Sequence, residues 1–148
     1  MKRITMDRFA LAAMLATMGS IAVFSNCVAA AEKPAATVTM PDGVERRFFT
    51  SGPLGTTTYR IDVARDGREA PRIQVLKDDV FQQIPNGATD AEVYALIGPP
   101  ARKEIFSRTQ TIAWDYHYRD GWGYESDFAV VFDAAGRVVG RFSTRDSG

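Results

Sequence analysis

One stretch of this sequence decides the fold: Ile112-Ala113-Trp114-Asp115-Tyr116-His117-Tyr118-Arg119. Large side chains recur at every second position, which is the period of a β-strand with one buried face. One face then carries Ile112, Trp114, Tyr116 and Tyr118, and the other carries Ala113, Asp115, His117 and Arg119. Because each buried aromatic side chain removes about 150–250 Å² from water, we expect this strand to supply much of the core of a small antiparallel sheet with a solvated outer face.

Three more strands are predicted around this one, at residues 102–106, 127–132 and 137–143. Phe128, Val130 and Phe132 offer an apolar row that matches the aromatic row of the first strand, and paired rows of this kind stabilise the register. Residues 133–136 separate the last two strands, and they begin with Asp and end with Gly as a tight turn does. The segment after residue 100 therefore predicts an antiparallel meander.

Two short helices are predicted before the meander. The first starts at Asp78, whose side chain is expected to cap it. The second starts at Thr89-Asp90-Ala91-Glu92, a capping box that satisfies two free backbone N–H groups. Gly98 ends this helix, and Pro99-Pro100 prevents its continuation. The expected fold class is α+β, with two short helices packed on a three- to four-stranded antiparallel meander sheet.

The region before the helices is predicted to contain a β-hairpin. Residues 57–63 and 72–76 both alternate in polarity, and the turn dipeptide Asp66-Gly67 lies between them. We assign residues 44–76 to a strand-rich N-terminal extension and residues 77–148 to the α+β domain. Residues 32–43 contain mainly Ala, Thr, Lys and Pro, and we assign them to a flexible tether.

Residues 1–31 have the pattern of a secretory signal peptide. A basic start is followed by an apolar run over residues 9–24, and Ala29-Ala30-Ala31 fits the small-x-small rule for cleavage before Glu32. The run is shorter than the roughly 20 residues of a membrane-spanning helix, and a retained N-terminal anchor is the alternative. We expect an exported protein, in the periplasm or on the periplasmic face of the outer membrane.

Cys27 is the single cysteine and a candidate lipidation site. A bacterial lipoprotein signal places its cysteine directly after a short apolar and small tripeptide, and Phe24-Ser25-Asn26 fits that pattern poorly. Cleavage after Ala31 would remove Cys27 with the signal. In either case no intramolecular disulfide can form, so packing must supply the stability.

Charge argues against two classes of partner. The chain has 18 Lys and Arg against 18 Asp and Glu, and removal of residues 1–31 takes away three basic residues and one acidic, leaving 15 against 17. A net charge of about −2 argues against non-specific nucleic-acid binding. It also provides no polybasic patch for anionic lipid, so membrane contact is expected only through a lipid anchor.

No catalytic, cofactor or metal site is predicted. His117 and Asp115 would be the base and orienting carboxylate of a hydrolase, but alternate residues of one strand hold side chains about 6–7 Å apart, too far for a direct hydrogen bond. One histidine with scattered acids is not a typical metal-ligand set. Trp122 and Tyr124 lie in a Gly-containing turn, and we predict that they contact a partner, because Trp and Tyr are frequent interface anchors.

Several motifs occur in the order found in a known domain family. They are Asn86-Gly87-Ala88-Thr89 with its helix and the Gly98-Pro99-Pro100 stop, Trp114-Asp115-Tyr116, and Phe132-Asp133-Ala134-Ala135-Gly136. Over residues 78–143 the chain resembles the SmpA/OmlA (BamE-like) domain family. The resemblance implies two helices against a three-stranded antiparallel sheet, no enzymatic activity, and a place beside the machinery that inserts β-barrel proteins into the outer membrane. The lipidation tripeptide and the extra strands of residues 44–76 depart from that family.

The sequence therefore predicts a non-enzymatic interaction module of the cell envelope, which docks on an envelope protein. Outer-membrane assembly machinery is the partner implied by the resemblance. The alternative is a periplasmic inhibitor or small-ligand-binding protein of β-lactamase-inhibitor-like architecture, which a deep pocket between helices and sheet would favour. A hydrolase that uses Asp115 and His117 is the third hypothesis.

Overall fold

The computed structural model of the protein describes residues 32–145. The first of its two four-stranded antiparallel sheets has the order β1 (Ala36–Thr39), β2 (Glu45–Ser51), β3 (Thr57–Val63) and β4 (Ile73–Gln74). Two helices follow, α1 (Asp78–Phe81) and α2 (Asp90–Ile97). The second sheet has the order β5 (Arg102–Phe106), β6 (Thr111–Arg119), β7 (Glu125–Phe132) and β8 (Val138–Arg145). The predicted signal peptide and the candidate lipidation site Cys27 lie outside the described residues.

The predicted fold class is wrong. The described chain is mainly β, with eight strands in two sheets, and only α2 is longer than a single helical turn. The predicted hairpin of residues 57–63 and 72–76 is present as β3 and β4, but it belongs to a full four-stranded sheet rather than to a small extension. The error arose because the strands on the other side of β3 have weak polarity patterns.

The edge strand β1 lies in the segment that was predicted to be a tether. Its Ala36 and Val38 pair with Phe48 and Arg46 of β2, and both pack against the main core. The turn between the strands is closed by hydrogen bonds from Met40 N–H to the Val44 carbonyl and from Gly43 N–H to the Met40 carbonyl, each 2.8 Å long. Short strands of Ala and Thr have little hydrophobic contrast, so their sequence alone resembles a linker.

The second sheet confirms the predicted meander. β5 has the predicted bounds, and the remaining three strands match the predicted ones to within two residues. In the register of β6 and β7, Trp114 lies opposite Val130 and Tyr116 lies opposite Phe128. Trp114, Tyr116 and Tyr118 are all buried, as the alternation predicted, whereas Ile112 at the end of the row is 37% exposed.

One core joins the two sheets and the helices. It contains Phe48 from β2, Phe81 from α1, Val93 and Ile97 from α2, and the inward row of β6 and β7. Phe81 and Phe128 stack with ring centroids 3.8 Å apart. These side chains thus fill the centre of the space between the helices and the second sheet.

Helix α2 starts and ends as the sequence predicted. The Thr89 hydroxyl accepts from Glu92 N–H, and the Glu92 carboxylate accepts from Thr89 N–H, which completes the capping box. Gly98 ends the helix with φ of 83°, and a Cβ at this position would lie 2.8 Å from the ring of Phe48. Glycine is therefore required both for its backbone conformation and for the close approach of β2.

Helix α1 is a single turn, and its predicted cap is wrong. Lys77 occupies the N-cap position without a side-chain cap, and Asp78 is the first helical residue. The Asp78 carboxylate points instead to β6 and to the turn that follows it. Among residues 32–145, no helix has both the length and the apolar character needed to cross a bilayer.

Candidate functional site

The turn that joins β6 to β7 is organised by the carboxylate of Asp120. Oδ1 of Asp120 accepts hydrogen bonds from Trp122 N–H and Tyr124 N–H, both 2.9 Å long. The backbone closes the same turn, because Asp120 N–H donates to the Tyr124 carbonyl and Gly123 N–H donates to the Asp120 carbonyl. Gly123 has φ of 87°, a conformation that favours glycine. The backbone beneath Trp122 and Tyr124 is therefore held in one conformation.

Arg145 of β8 holds the other oxygen of this carboxylate. Its Nε and Nη2 lie 2.8 Å and 2.6 Å from Asp120 Oδ2, and its guanidinium lies 5.0 Å from the ring centroid of Tyr124. The Asp120 side chain is only 4% exposed. Burial alone would raise the pKa of Asp120, but hydrogen bonds from Tyr124 N–H, Arg145 and Trp122 N–H outweigh it and lower that pKa.

Trp122 and Tyr124 project from this fixed turn into solvent. Trp122 is 82% exposed and Tyr124 is 55% exposed, whereas the other tryptophan, Trp114, is buried in the core. Tryptophan and tyrosine side chains that lie side by side in solvent are typical of a surface that contacts a partner, because their burial is strongly favourable. The two predicted contact residues thus lie together on one rigid, exposed turn.

Asp78 connects the turn to α1. Its Oδ1 accepts a 2.7 Å hydrogen bond from the Tyr118 hydroxyl, and its Oδ2 accepts a 3.3 Å hydrogen bond from Gly121 N–H. Burial, followed by the hydrogen bond to Asp78, raises the pKa of Tyr118 to about 12. Asp78 therefore fixes the position of the turn relative to the helix.

An open groove of about 360 Å³ lies beside these residues, between α1 and the edge strand β8. Phe81, Tyr118 and Phe128 provide its apolar part. Its lining also includes Asp78, Gln82, Arg141, Phe142 and Ser143. The groove and the aromatic turn adjoin, since Asp78 and β8 contribute to both.

The residues of the hydrolase hypothesis have separate partners. The imidazole Nδ1 of His117 contacts Oδ1 of Asp127 on the neighbouring strand, not Asp115. Asp115 instead pairs with Arg102 of β5, whose Nε and Nη2 lie 3.0 Å and 2.9 Å from Oδ2 of Asp115. His117 is 40% exposed on the outer face of the sheet. The structure thus pairs His117 with a carboxylate, but with that of Asp127 rather than that of Asp115.

No metal centre appears in the part of the chain that the structure describes, where no three His, Cys, Asp or Glu side chains are grouped to hold an ion. The acids near the turn have other partners. Asp120 pairs with Arg145, and Oε1 of Glu125 lies 3.6 Å from Nη2 of Arg119.

Sequence reasoning predicted a partner contact at Trp122 and Tyr124 but missed the residues that position them. Asp120 was not singled out as a site residue in the sequence, although an Asp at the start of a Gly-containing turn commonly accepts hydrogen bonds from the next backbone N–H groups. That local signal was present in the sequence. Arg145 and Asp78 carry no such signal, because they lie 25 and 42 residues from Asp120 along the chain.

Comparison of the chain with protein-family models gave no match. Comparison with curated proteins and with solved structures also gave none. The resemblance to the SmpA/OmlA family therefore stays a prediction.

Proposed function

We propose that this protein is a non-enzymatic binding module whose contact with a partner protein is centred on Trp122 and Tyr124. The observation that carries this proposal is the 82% exposure of Trp122 on a turn whose backbone is fixed by Asp120. A flexible exposed side chain loses conformational freedom on binding, whereas an anchor on a rigid turn loses less. Tryptophan and tyrosine are also the residues most enriched among interface hot spots.

The charged neighbours of the turn fit a protein interface. Tyr124 is flanked by Arg145, whose guanidinium lies over its ring, and Arg119 and Glu125 pair with each other beside it. An aromatic centre with a polar rim is the usual arrangement of a protein contact surface. The turn lacks the excess of basic side chains that attraction to anionic lipid needs.

We place this activity in the cell envelope, as an accessory to outer-membrane assembly or envelope integrity. Two sequence features support this part of the proposal. They are the secretory pattern of residues 1–31 and the resemblance of residues 78–143 to the SmpA/OmlA family. The turn provides the docking surface that such a role needs.

The test compares Trp122→Ala with Leu54→Ala. Leu54 is a matched control, because it is 77% exposed on the Pro53–Gly55 turn at a different place. A photoreactive amino acid at position 122 identifies the partner in intact cells, and its affinity for the purified protein is then measured. We expect Trp122→Ala to weaken that affinity by about 2 kcal/mol, roughly thirtyfold, and Leu54→Ala to leave it unchanged.

The melting temperature of Trp122→Ala shows whether a loss of partner affinity comes from the lost contact or from unfolding. An exposed tryptophan contributes little to folding, so Trp122→Ala should melt within a few degrees of the unaltered protein. A large loss of stability, or an affinity equal to that of the unaltered protein, would refute the proposed contact.

A further inference from the structure

The edge strand β8 is only partly covered by the rest of the described chain. At its start the segment between the helices runs alongside it as a strand would. Gly87 N–H donates to the Val138 carbonyl at 2.8 Å, Val138 N–H donates to the Ala88 carbonyl at 2.9 Å, and Thr89 forms a bridge with Arg137. Further along β8, residues 139–145 pair only with β7 among the residues that the structure describes. The chain thus pairs with the first part of this edge and leaves the rest open.

The open part of the edge borders the groove. Arg141, Phe142 and Ser143 of β8 form one side of it, and Asp78 and Gln82 lie on the α1 side. The stacked rings of Phe81 and Phe128 hold its apolar part in place. Five residues in an extended strand span about 17 Å, which is enough to follow β8 from Arg141 to Arg145. An extended segment lying there would also reach the aromatic turn.

We propose that an extended, acidic segment of a partner protein binds in this groove and adds to β8 as a further strand of the second sheet. Backbone hydrogen bonds to the open edge would provide affinity, and alternate side chains would provide specificity. One apolar side chain would enter the groove against Phe81 and Phe128. This inference rests on the proposed function, since it names the kind of segment that the docking surface takes.

Charge is the reason for an acidic segment. Residues 138–145 contain two arginines and no carboxylate. Arg145 is held by Asp120, but Arg141 has the Ile84 carbonyl as its side-chain partner in the described chain, not a carboxylate. Asp78, on the opposite side of the groove, is itself a carboxylate and accepts hydrogen bonds from Tyr118 and Gly121. The acidic side chain of the segment is therefore expected beside Arg141 and not beside Asp78.

A second copy of this chain is a poorer occupant. Pairing of two β8 strands would add a second Arg141 to the interface, and Arg141 has no carboxylate partner in the described chain. Like charges at close range disfavour such pairing. The other edge strand of the second sheet, β5, is also less suitable as a binding site for the segment. Its Lys103 ammonium folds over the Trp114 ring at 4.3 Å, and Arg102 pairs with Asp115.

The test selects short random peptides from a displayed library against the immobilised full chain. We expect enrichment of peptides in which apolar and acidic residues alternate. A synthetic copy of the most enriched peptide should slow amide hydrogen exchange within residues 139–145. Arg141→Gln should weaken its binding about tenfold, because glutamine keeps a donor for the Ile84 carbonyl and removes the charge.

Arg108→Gln is the matched control, since Arg108 is an exposed arginine in the turn between β5 and β6, and it should bind the peptide normally. The inference is overturned by enrichment of peptides without acidic residues, by no enrichment, or by amide protection confined to other strands. It is also overturned if the unaltered protein forms a dimer in which the amides of residues 139–145 are protected from exchange. If peptides fail while Trp122→Ala still weakens partner binding, the proposed function stands and only the strand-addition inference falls.

Discussion

Arg145, at the end of β8, places its Nε and Nη2 2.8 Å and 2.6 Å from Asp120 Oδ2 and so ties the edge strand to the turn between β6 and β7. The same carboxylate holds Trp122 N–H and Tyr124 N–H through its other oxygen. One buried acid therefore links the open edge of the sheet to the two exposed aromatic residues. A change at Asp120 should affect stability and partner binding together.

Asp120→Asn tests the charge of this link. Asparagine keeps an oxygen for the two N–H groups but loses the ionic contact with Arg145, so we expect a lower melting temperature at neutral pH. Hydrogen bonds lower the pKa of Asp120 below its unfolded value of about 3.9. Its stabilising contribution is then fully present above that value and is lost as pH falls through the folded pKa.

Melting curves of both proteins across a pH series check this expectation. The difference in melting temperature should narrow as pH falls below about 4. Asp66→Asn, at an exposed surface pair with Arg68, should change stability little at any pH. A difference between Asp120→Asn and the unaltered protein that is independent of pH would contradict the assigned role of the charge.

Tyr118→Phe tests the contact between β6 and α1. Loss of the hydroxyl removes the hydrogen bond to Asp78, and we expect a loss of about 0.5–1.5 kcal/mol in the free energy of unfolding at neutral pH. Burial raises the pKa of Tyr118 from 10.0 to about 12. Folding thus favours the neutral form of Tyr118. The stability that this preference contributes is complete below pH 10 and is lost as pH rises towards 12.

Ultraviolet absorbance, which follows tyrosinate formation, should show one fewer tyrosine titrating late in Tyr118→Phe. Denaturant unfolding near neutral pH measures the stability difference. Removal of the hydroxyl without any change in either measurement would mean that the Asp78 contact is absent in solution.

Gly98→Ala and Gly67→Ala form a matched pair. Both glycines have nearly the same φ, 83° and 84°, but a Cβ at Gly98 would lie 2.8 Å from the Phe48 ring, whereas Gly67 has nothing within 4 Å. We expect Gly67→Ala to cost about 1–2 kcal/mol from backbone strain. Gly98→Ala should cost about 1–3 kcal/mol more, because the ψ of −163° at Gly98 is almost restricted to glycine and because the core must shift to admit the methyl group. Urea unfolding of the two variants measures the difference, and equal losses would exclude a packing role for Gly98.

His117→Gln tests the hydrolase hypothesis, in which His117 is the base. The imidazole is 40% exposed and contacts Asp127 on the outer face of the sheet. We expect a change in stability of no more than about 0.5 kcal/mol and unaltered partner affinity. Any hydrolytic activity of the purified protein that disappears in this variant would support the hydrolase hypothesis.

The sequence predicted the second sheet well because its signals are local. Alternation in β6 separates a buried aromatic row from a polar row, and tight turns separate the strands. Helix α2 was predicted equally well, since a capping box and a glycine stop lie within the helix and its ends. The exposure of Trp122 and Tyr124 agrees with their placement in a turn.

Tertiary structure alone decided the rest. Whether residues 36–39 form a strand depends on the partner that β2 offers, and the fold class was wrong because a weak alternation of Ala, Val and Thr cannot reveal that partner. Asp78 caps no helix, and its carboxylate accepts a hydrogen bond from Tyr118, 40 residues away along the chain. His117 pairs across the sheet with Asp127 for a similar reason. Local patterns thus predicted the alternation of β6, the tight turns and the capping box of α2. Long-range contacts, which no local pattern encodes, determined which elements meet.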